Sequence, residues 1–556
     1  MVIADKLQTE LVEADVLCVG GGPAGLCAAI RASELGAKVV VADKSNTLRS
    51  GDAGMGNDHF RCYIPEVHGD DIATFYTRLG ETAMAQGSGQ RPASFLRIFA
   101  EKSYEMVKLW ESWGIPMKYE GKYEFAGYAL PGRPVVTLHY SGQNTKPALT
   151  KQASKAGTKI MNRVMIFDLL CDNGTVCGAI GIDTRENRLI IFKAKSVILT
   201  TGKLMRLYPG PTPAWLFNLN TSPVSTGDGR IMAYRAGCEL TNLELGSRWS
   251  GPKYFARNGK ASWMGVYRDP QGKPVGPFMT KPDKKRGDMT STIYKEVFED
   301  YVRSGRGPVY MDLAGMPDED YKYMRHWLIH EANMAILNHF DEEGIDLREH
   351  PIEFMTYGLL TPGGIYYNEK GEVPVKGLYS AGDEYQAYGI AGVSVFGRIA
   401  GESAANYAKQ AKSRDIKKAR AKIDETKDML EQVLSREAGA TWQEANIALQ
   451  QVMIDYCGLV RSETLLEAGR NHLGKLKQKV HSTIMAGNQH ELMRCLEVLN
   501  LFELGELMFI AANKRKETRD YHRRVDYPYT NPLLNDQLLV IKKVNGQPVA
   551  ELKKKT

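Results

Sequence analysis

A run of four apolar residues, Val16-Leu17-Cys18-Val19, opens the most regular pattern in the chain. It stops at Gly20-Gly21-Gly22-Pro23-Ala24-Gly25, after which Leu26, Ala28, Ala29 and Ile30 mark a helical stretch that ends at Gly36. A second run, Ala37-Lys38-Val39-Val40-Val41-Ala42, closes on Asp43. Short apolar runs bounded by glycine predict buried parallel strands with a helix between them. The strand-to-glycine design returns at Ser196–Gly202 and again at Gly377–Asp383. Returns so far downstream predict a nucleotide-binding unit interrupted by an insertion. Residues 411–510 contain no proline and are rich in Ala, Leu, Glu, Lys and Gln, which predicts a helical bundle. Residues 515–556 form a basic, proline-containing tail, expected to wrap the domain or a partner rather than form a core.

The opening unit has a chemical logic. Gly20 permits a tight turn, Gly22 lets the backbone approach a pyrophosphate, and Gly25 lets helix and strand pack closely. Pro23 and Ala24 begin the helix, whose free amides and partial positive charge face the phosphates. Asp43, 23 positions beyond Gly20, ends the second strand and can accept hydrogen bonds from a ribose. This unit alone does not separate NAD from FAD. The interrupted layout does, because large FAD folds are built that way.

Composition narrows the class. The chain has 556 residues, 43% hydrophobic and 25% charged, which allows roughly three or four globular domains. No run of 18 apolar residues occurs, and the first residues lack the apolar core of a secretory signal, so a cytoplasmic protein is expected. Eight cysteines are scattered with no Cys-x-x-Cys pair, so neither zinc nor an iron–sulfur cluster is expected in this chain, and no metal site is assigned. A net charge of +7 is compatible with an acidic partner and too weak to argue for nucleic acid.

Several segments together resemble the flavoprotein subunits of the succinate dehydrogenase and fumarate reductase superfamily, nearest in appearance to its adenylylsulfate reductase alpha-subunit branch. They are Gly20–Gly25 with Asp43-Lys44, Arg49-Ser50-Gly51, Ile198–Gly202, Thr226-Gly227-Asp228-Gly229, Gly307–Asp312, Gly377–Asp383, Val395-Phe396-Gly397-Arg398 and Arg519–Pro528. The resemblance implies an α/β fold. A Rossmann-like FAD-binding domain (residues 1–240 and 353–408) would be interrupted by an α+β capping domain (241–352). A helical domain (409–512) and a basic C-terminal tail (513–556) would follow. It further implies that FAD contacts fall on Lys44, Ser50, Gly51, Gly56, Val164, Thr201, Gly202, Asp228, Gly382, Asp383, Ser394 and Val395. In covalently flavinylated members a histidine in Ser-His-Thr bonds to the flavin. Ser45-Asn46-Thr47 is taken as the corresponding segment here, so the FAD is expected to be non-covalent.

The dicarboxylate-binding pattern of the family is replaced by Leu243–Trp249, Leu359–Gly364 and Gly389–Ser394. Without its charged donors a dicarboxylate would be uncompensated in a closed site, which disfavours fumarate as the substrate. Arg248 and Trp249 sit where the family puts substrate contacts, the plainer alternative being a surface arginine stacked on an aromatic ring. Arg286 lies one residue off the family's proton-donating arginine, although Lys281, Lys284 and Lys285 suit an ordinary solvated loop equally. His59 follows the segment expected beside the flavin and is a candidate acid/base, with a structural role as the alternative. His326 and His330 are spaced like metal ligands but lack an evident third ligand. The leading expectation is an FAD-dependent oxidoreductase subunit passing electrons between a small-molecule substrate and an iron–sulfur (ferredoxin-like) partner. A basic run from Lys409 to Lys422 could meet that partner, or could be a solvated helix face. The alternatives are a self-contained flavin oxidase of the aspartate-oxidase kind and a non-catalytic flavin electron relay.

Overall fold

The structure is a computed structural model that describes residues 6–73, 92–126, 135–210, 219, 221–248, 250–253, 266–275, 300–356, 359, 361, 363–385 and 388–555. The apolar run at the N-terminus becomes the inner part of a long strand, Gln8–Val19, at the centre of a seven-stranded sheet. Its flanks are Val39–Asp43 on one side and Arg188–Leu199 on the other, both parallel to it. Lys159–Asn162 extends the first side, again in parallel. The distant return Leu378–Ser380 pairs in parallel with Arg188–Leu199, setting Ser380 opposite Leu199. Two antiparallel strands, Thr175–Asp183 and Val164–Asp172, complete the sheet. All five residues of Val39–Asp43 are buried, as a parallel strand covered on both faces requires.

This topology brings Val19, Leu199 and Ser380 to one edge, so three glycine turns that are far apart in sequence open side by side. Helices Pro23–Glu34 and Gly389–Gln410 pack together over one face of the sheet. The inserted segment carries a four-stranded antiparallel sheet made of Ser250–Pro252, Ile352–Thr356, Val309–Met311 and Tyr267–Arg268. Helices Asp318–Leu328 and Met334–Glu342 lie beside it, joined by a π-helical turn at Ile329–Asn333. Its own apolar core includes Met311, Leu313, Trp327 and Phe354.

The proline-free region forms helices Arg420–Ser435, Trp442–Cys457, Glu463–Thr483 and Gln489–Lys514. The tail does more than wrap. Its hairpin, Gln537–Val544 with Gln547–Lys554, joins Leu240–Thr241 and Gly364–Ile365 in a second four-stranded sheet. Leu538, Leu539, Val540 and Ile541 are buried in it. Four consecutive apolar residues in a basic setting were the overlooked signal. The basic run is largely neutralised on the molecule: Arg414 and Lys418 reach Asp172, Lys422 reaches Asp168, and Arg420 reaches Asp424. Among the described residues no helix is long and apolar enough to cross a membrane.

Candidate functional site

The glycine loop behaves as its sequence demands. Gly20 holds φ +100°, and a Cβ there would lie 2.5 Å from the Thr200 carbonyl oxygen. A Cβ on Gly25 would lie 1.9 Å from the Gly20 oxygen, so helix and strand could not approach. Gly22 differs: a Cβ there meets nothing within 4 Å. Its open side is the N-terminal end of helix Pro23–Glu34, and helix N-termini favour anions. The Asp43 carboxylate organises the rim, accepting from the Gly21 N–H at 2.8 Å, the Ser50 hydroxyl at 3.0 Å and the Ser45 N–H at 2.8 Å. Gly51 supplies a positive-φ turn next to it, and Val164 is a buried residue at the start of its strand. Asn46 caps this same turn through its carbonyl, which accepts from the Arg49 and Ser50 N–H groups.

At the neighbouring turns, Thr201 donates its N–H to Glu384 at 2.5 Å and its hydroxyl to the same oxygen. The other Glu384 carboxylate oxygen is buried with no partner among the described residues. Burial raises the Glu384 pKa, opposed by the nearby Arg230 guanidinium. Arg230 is itself buried and donates to three backbone carbonyls: Gly363 at 3.0 Å, Gly202 at 2.9 Å and Asp383 at 2.8 Å. It therefore ties together three loops that border the cradle. Gly382 follows the last strand with φ +77°. Ser394 is buried with its hydroxyl donated to the Ile390 carbonyl, and Val395 is buried beside it.

Two residues expected at the cofactor turn toward the helical region. The Lys44 ammonium donates to Asp228 and Glu497, each at 2.7 Å. Asp228 also accepts from Thr226 at 3.0 Å and from Asn500 at 2.9 Å. Glu244, in the segment that replaces the family's substrate-binding pattern, is fully buried and accepts from Arg515 at 2.6 Å. The segment leading to Arg248 is thus anchored to the C-terminal region, and Arg248 itself is half-buried. Trp249 and Arg286 lie outside the described residues.

His59 gains the most from the fold. It begins a short strand, His59–Arg61, whose register sets it opposite His139. Its Nδ1 lies 3.2 Å from Asp58 Oδ1 and 3.3 Å from Glu331 Oε1. Glu331 belongs to the π-helical turn, is fully buried, and accepts the Asp58 N–H at 3.0 Å. π-bulges recur at functional sites because they re-aim a side chain within a helix. No metal site was expected from sequence, yet the ligand atoms of Asp58, His59 and Glu331 all lie within 4.8 Å of one another. Both carboxylates stand within 3.3 Å of the imidazole Nδ1. His326 and His330 stack edge to face at 4.9 Å near Trp327 rather than completing a ligand set, and burial lowers both their pKa values. Spacing within the chain revealed neither Arg230 nor Glu331, because most of their partners are over a hundred positions away.

The cradle fits FAD on its own geometry: an open amide terminus at Gly22, an acid rim at Asp43 and an acceptor oxygen on Glu384 left over by the described residues. Comparison with known proteins agrees. Residues 15–401 match the FAD binding domain model, and residues 446–545 match the fumarate reductase flavoprotein C-terminal model. A fumarate reductase (CoM/CoB) chain of Methanothermobacter marburgensis is 26% identical over 97% of this chain and 99% of its own length. The L-aspartate oxidase of Vibrio cholerae is 26% identical over 93% of this chain and 96% of its own. In fold, the adenylylsulfate reductase of Archaeoglobus fulgidus superposes with a TM-score of 0.84 at 22% identity, covering 99% of this chain and 97% of that one. A quinol fumarate reductase chain of Escherichia coli gives 0.80 at 20% identity, covering 98% and 97%. The chain therefore belongs to the family of the FAD binding domain model, ends in a region of the fumarate reductase flavoprotein C-terminal kind, and is an FAD-dependent oxidoreductase.

Proposed function

We propose that the chain passes electrons between a small polar substrate other than a C4 dicarboxylate and an iron–sulfur partner subunit, using non-covalent FAD, in the cytoplasm. Bound FAD supplies the redox chemistry. The open side of Gly22 would take its pyrophosphate, with Gly20 turning the chain and Gly25 letting the helix pack beneath; Asp43 would take ribose hydroxyls, and Glu384 would offer its second oxygen to a further hydroxyl. His59 holds or delivers the proton that accompanies electron transfer, with Asp58 and the cap residue Glu331 fixing its ring. The observation that carries this reading is the His59 imidazole gripped by two buried carboxylates, one from each side of the junction between cap and cradle. A positioned acid/base contributes about 10²–10⁴-fold to rate.

Several observations support the partner and the compartment. The described cysteines are all free, which suits a reducing compartment. The sequence offers no cluster-ligand spacing, which suits electrons leaving to a separate iron–sulfur polypeptide. The Methanothermobacter relative is itself named as one subunit of its enzyme. Anaerobic purification from the native host tests the reading, with iron, flavin and co-purifying chains quantified. FAD and an iron-containing partner in equal amounts are expected. A lone chain whose reduced flavin reoxidises in air within milliseconds would instead favour a self-contained oxidase. Substituting His59→Gln in the isolated complex should preserve the flavin spectrum and slow substrate-linked flavin turnover by about 10²-fold or more.

A further inference from the structure

We infer that Lys146, buried beneath the glycine loop, is a positioning residue for the FAD pyrophosphate and makes FAD affinity dependent on pH in the mildly alkaline range. Lys146 stands in the first turn of helix Thr145–Lys155 and is 0% exposed. Its ammonium donates to the Gly21 carbonyl oxygen, within the loop that forms the cradle. Gly21 is held from its other side by Asp43, which accepts its N–H at 2.8 Å. Lysine is among the residues least often buried without a partner. Among the described residues, that loop carbonyl is the one acceptor of its ammonium.

The place explains the cost. One residue beyond Gly21 the backbone is open at Gly22, and the helix N-terminus there is the anion-binding end. A positive charge directly behind that loop adds to the partial charge of the helix in a low-dielectric setting, where it acts strongly. Two groups face the ammonium: the Asp43 carboxylate, from the end of its strand, and the Cys27 thiol, from helix Pro23–Glu34. Burial raises the Cys27 pKa to about 11, so the thiol is neutral near pH 7. Burial likewise lowers the Lys146 pKa to about 8, with Asp43 opposing.

The linkage has a definite sign. An anionic pyrophosphate brought over the loop favours the charged lysine, so FAD binding raises its pKa. Below about pH 8 the ammonium is charged before and after binding, and affinity is constant. As pH rises through that point the free protein loses the proton first, each binding event takes one up, and affinity falls. The dissociation constant should rise toward tenfold per pH unit.

The test is FAD binding to the full-length apoprotein, followed by flavin fluorescence from pH 6.5 to 9.5. Calorimetry at pH 8.8 in two buffers of different ionisation enthalpy accompanies it. A flat affinity below pH 8, weakening above it and uptake of close to one proton at pH 8.8 are expected of the unaltered protein. Lys146→Met should bind FAD about tenfold or more weakly at pH 7 and lose the pH dependence, while Lys146→Arg should keep affinity and shift the fall to higher pH. The unaltered protein alone decides the matter if a variant does not fold. Affinity that is pH-independent, with no proton uptake, overturns the inference. So does a folded Lys146→Met protein that binds FAD normally and differs only in melting temperature.

Discussion

The carboxylate of Glu497, on the longest helix of the C-terminal region, accepts from the Lys44 ammonium at 2.7 Å, one residue beyond the strand that ends in Asp43. The other oxygen of Glu497 accepts from Arg206 and Arg494, at 2.8 and 2.9 Å. With Asp228 and Asn500 they form a buried polar network that joins the cradle to the helices.

Burial alone would raise the Glu497 pKa, but Lys44, Arg206 and Arg494 hold it at about 2, below its ordinary 4.5. A depressed carboxylate contributes stability that is complete above the unfolded value and lost as pH falls through the folded one. Glu497→Gln leaves buried cations under-compensated and should cost about 3–5 kcal/mol at neutral pH. Urea titrations of both proteins should show that difference shrinking between pH 4.5 and about 2. A constant difference across that window would exclude this role for the ionised carboxylate.

Gly22 and Gly25 separate ligand space from packing space. Gly25→Ala drives a Cβ to 1.9 Å from the Gly20 oxygen and should destabilise the apoprotein. Gly22→Ala meets nothing and has an unstrained backbone at φ −68°, so apoprotein stability should change by no more than about 0.5 kcal/mol. Its methyl group enters the volume reserved for the pyrophosphate, and FAD affinity should drop at least tenfold. Apoprotein melting and FAD titration of the two variants distinguish the roles. Equal FAD binding by Gly22→Ala and the unaltered protein would place the pyrophosphate elsewhere.

Arg230 satisfies three buried carbonyls, at Gly202, Gly363 and Asp383. An unsatisfied buried acceptor costs about 1–3 kcal/mol, so Arg230→Met should lose at least about 3 kcal/mol in denaturant titration. Arg230→Lys should restore little, because an ammonium cannot reproduce the planar fork. The methionine variant also strands the buried Glu384. Adding Glu384→Gln should therefore recover part of the loss, giving a non-additive pair. Strict additivity would show that the two side chains are uncoupled.

The cradle was legible in sequence because its signals are local: glycines at fixed spacing, an apolar run before them and an acid after the next strand. The returning strands were legible for the same reason, and the sheet pairs Leu378–Ser380 with Arg188–Leu199 as that repetition implied. Polar networks were not legible. Lys44 read as a cofactor contact beside Asp43, but its side chain is long enough to reach Glu497, 453 positions later. Glu331 carries no mark of its role, since a π-helical turn is set by packing and not by a residue type. In the tail, charge at both ends obscured the buried strand from Leu538 to Ile541.

Cap and cradle approach closely at Gly56, three residues before His59. Gly56 holds φ +123°, a conformation L side chains rarely adopt, and a Cβ there would lie 2.3 Å from the His330 carbonyl oxygen. His330 immediately precedes Glu331, so whatever moves one moves the other. Gly56→Ala should force the π-helical turn away, and the Asp58 N–H should lose its 3.0 Å bond to Glu331. The cradle glycines and Asp43 are untouched by this change, so the central strand Gln8–Val19 should keep its packing. Hydrogen exchange resolves the two effects: the Asp58 amide should exchange at least tenfold faster in the variant, while amides of Gln8–Val19 keep their protection. Cap and cradle would then be coupled in part through this contact. Unchanged exchange at Asp58 would show that Glu331 reaches His59 without the support of the Gly56 contact.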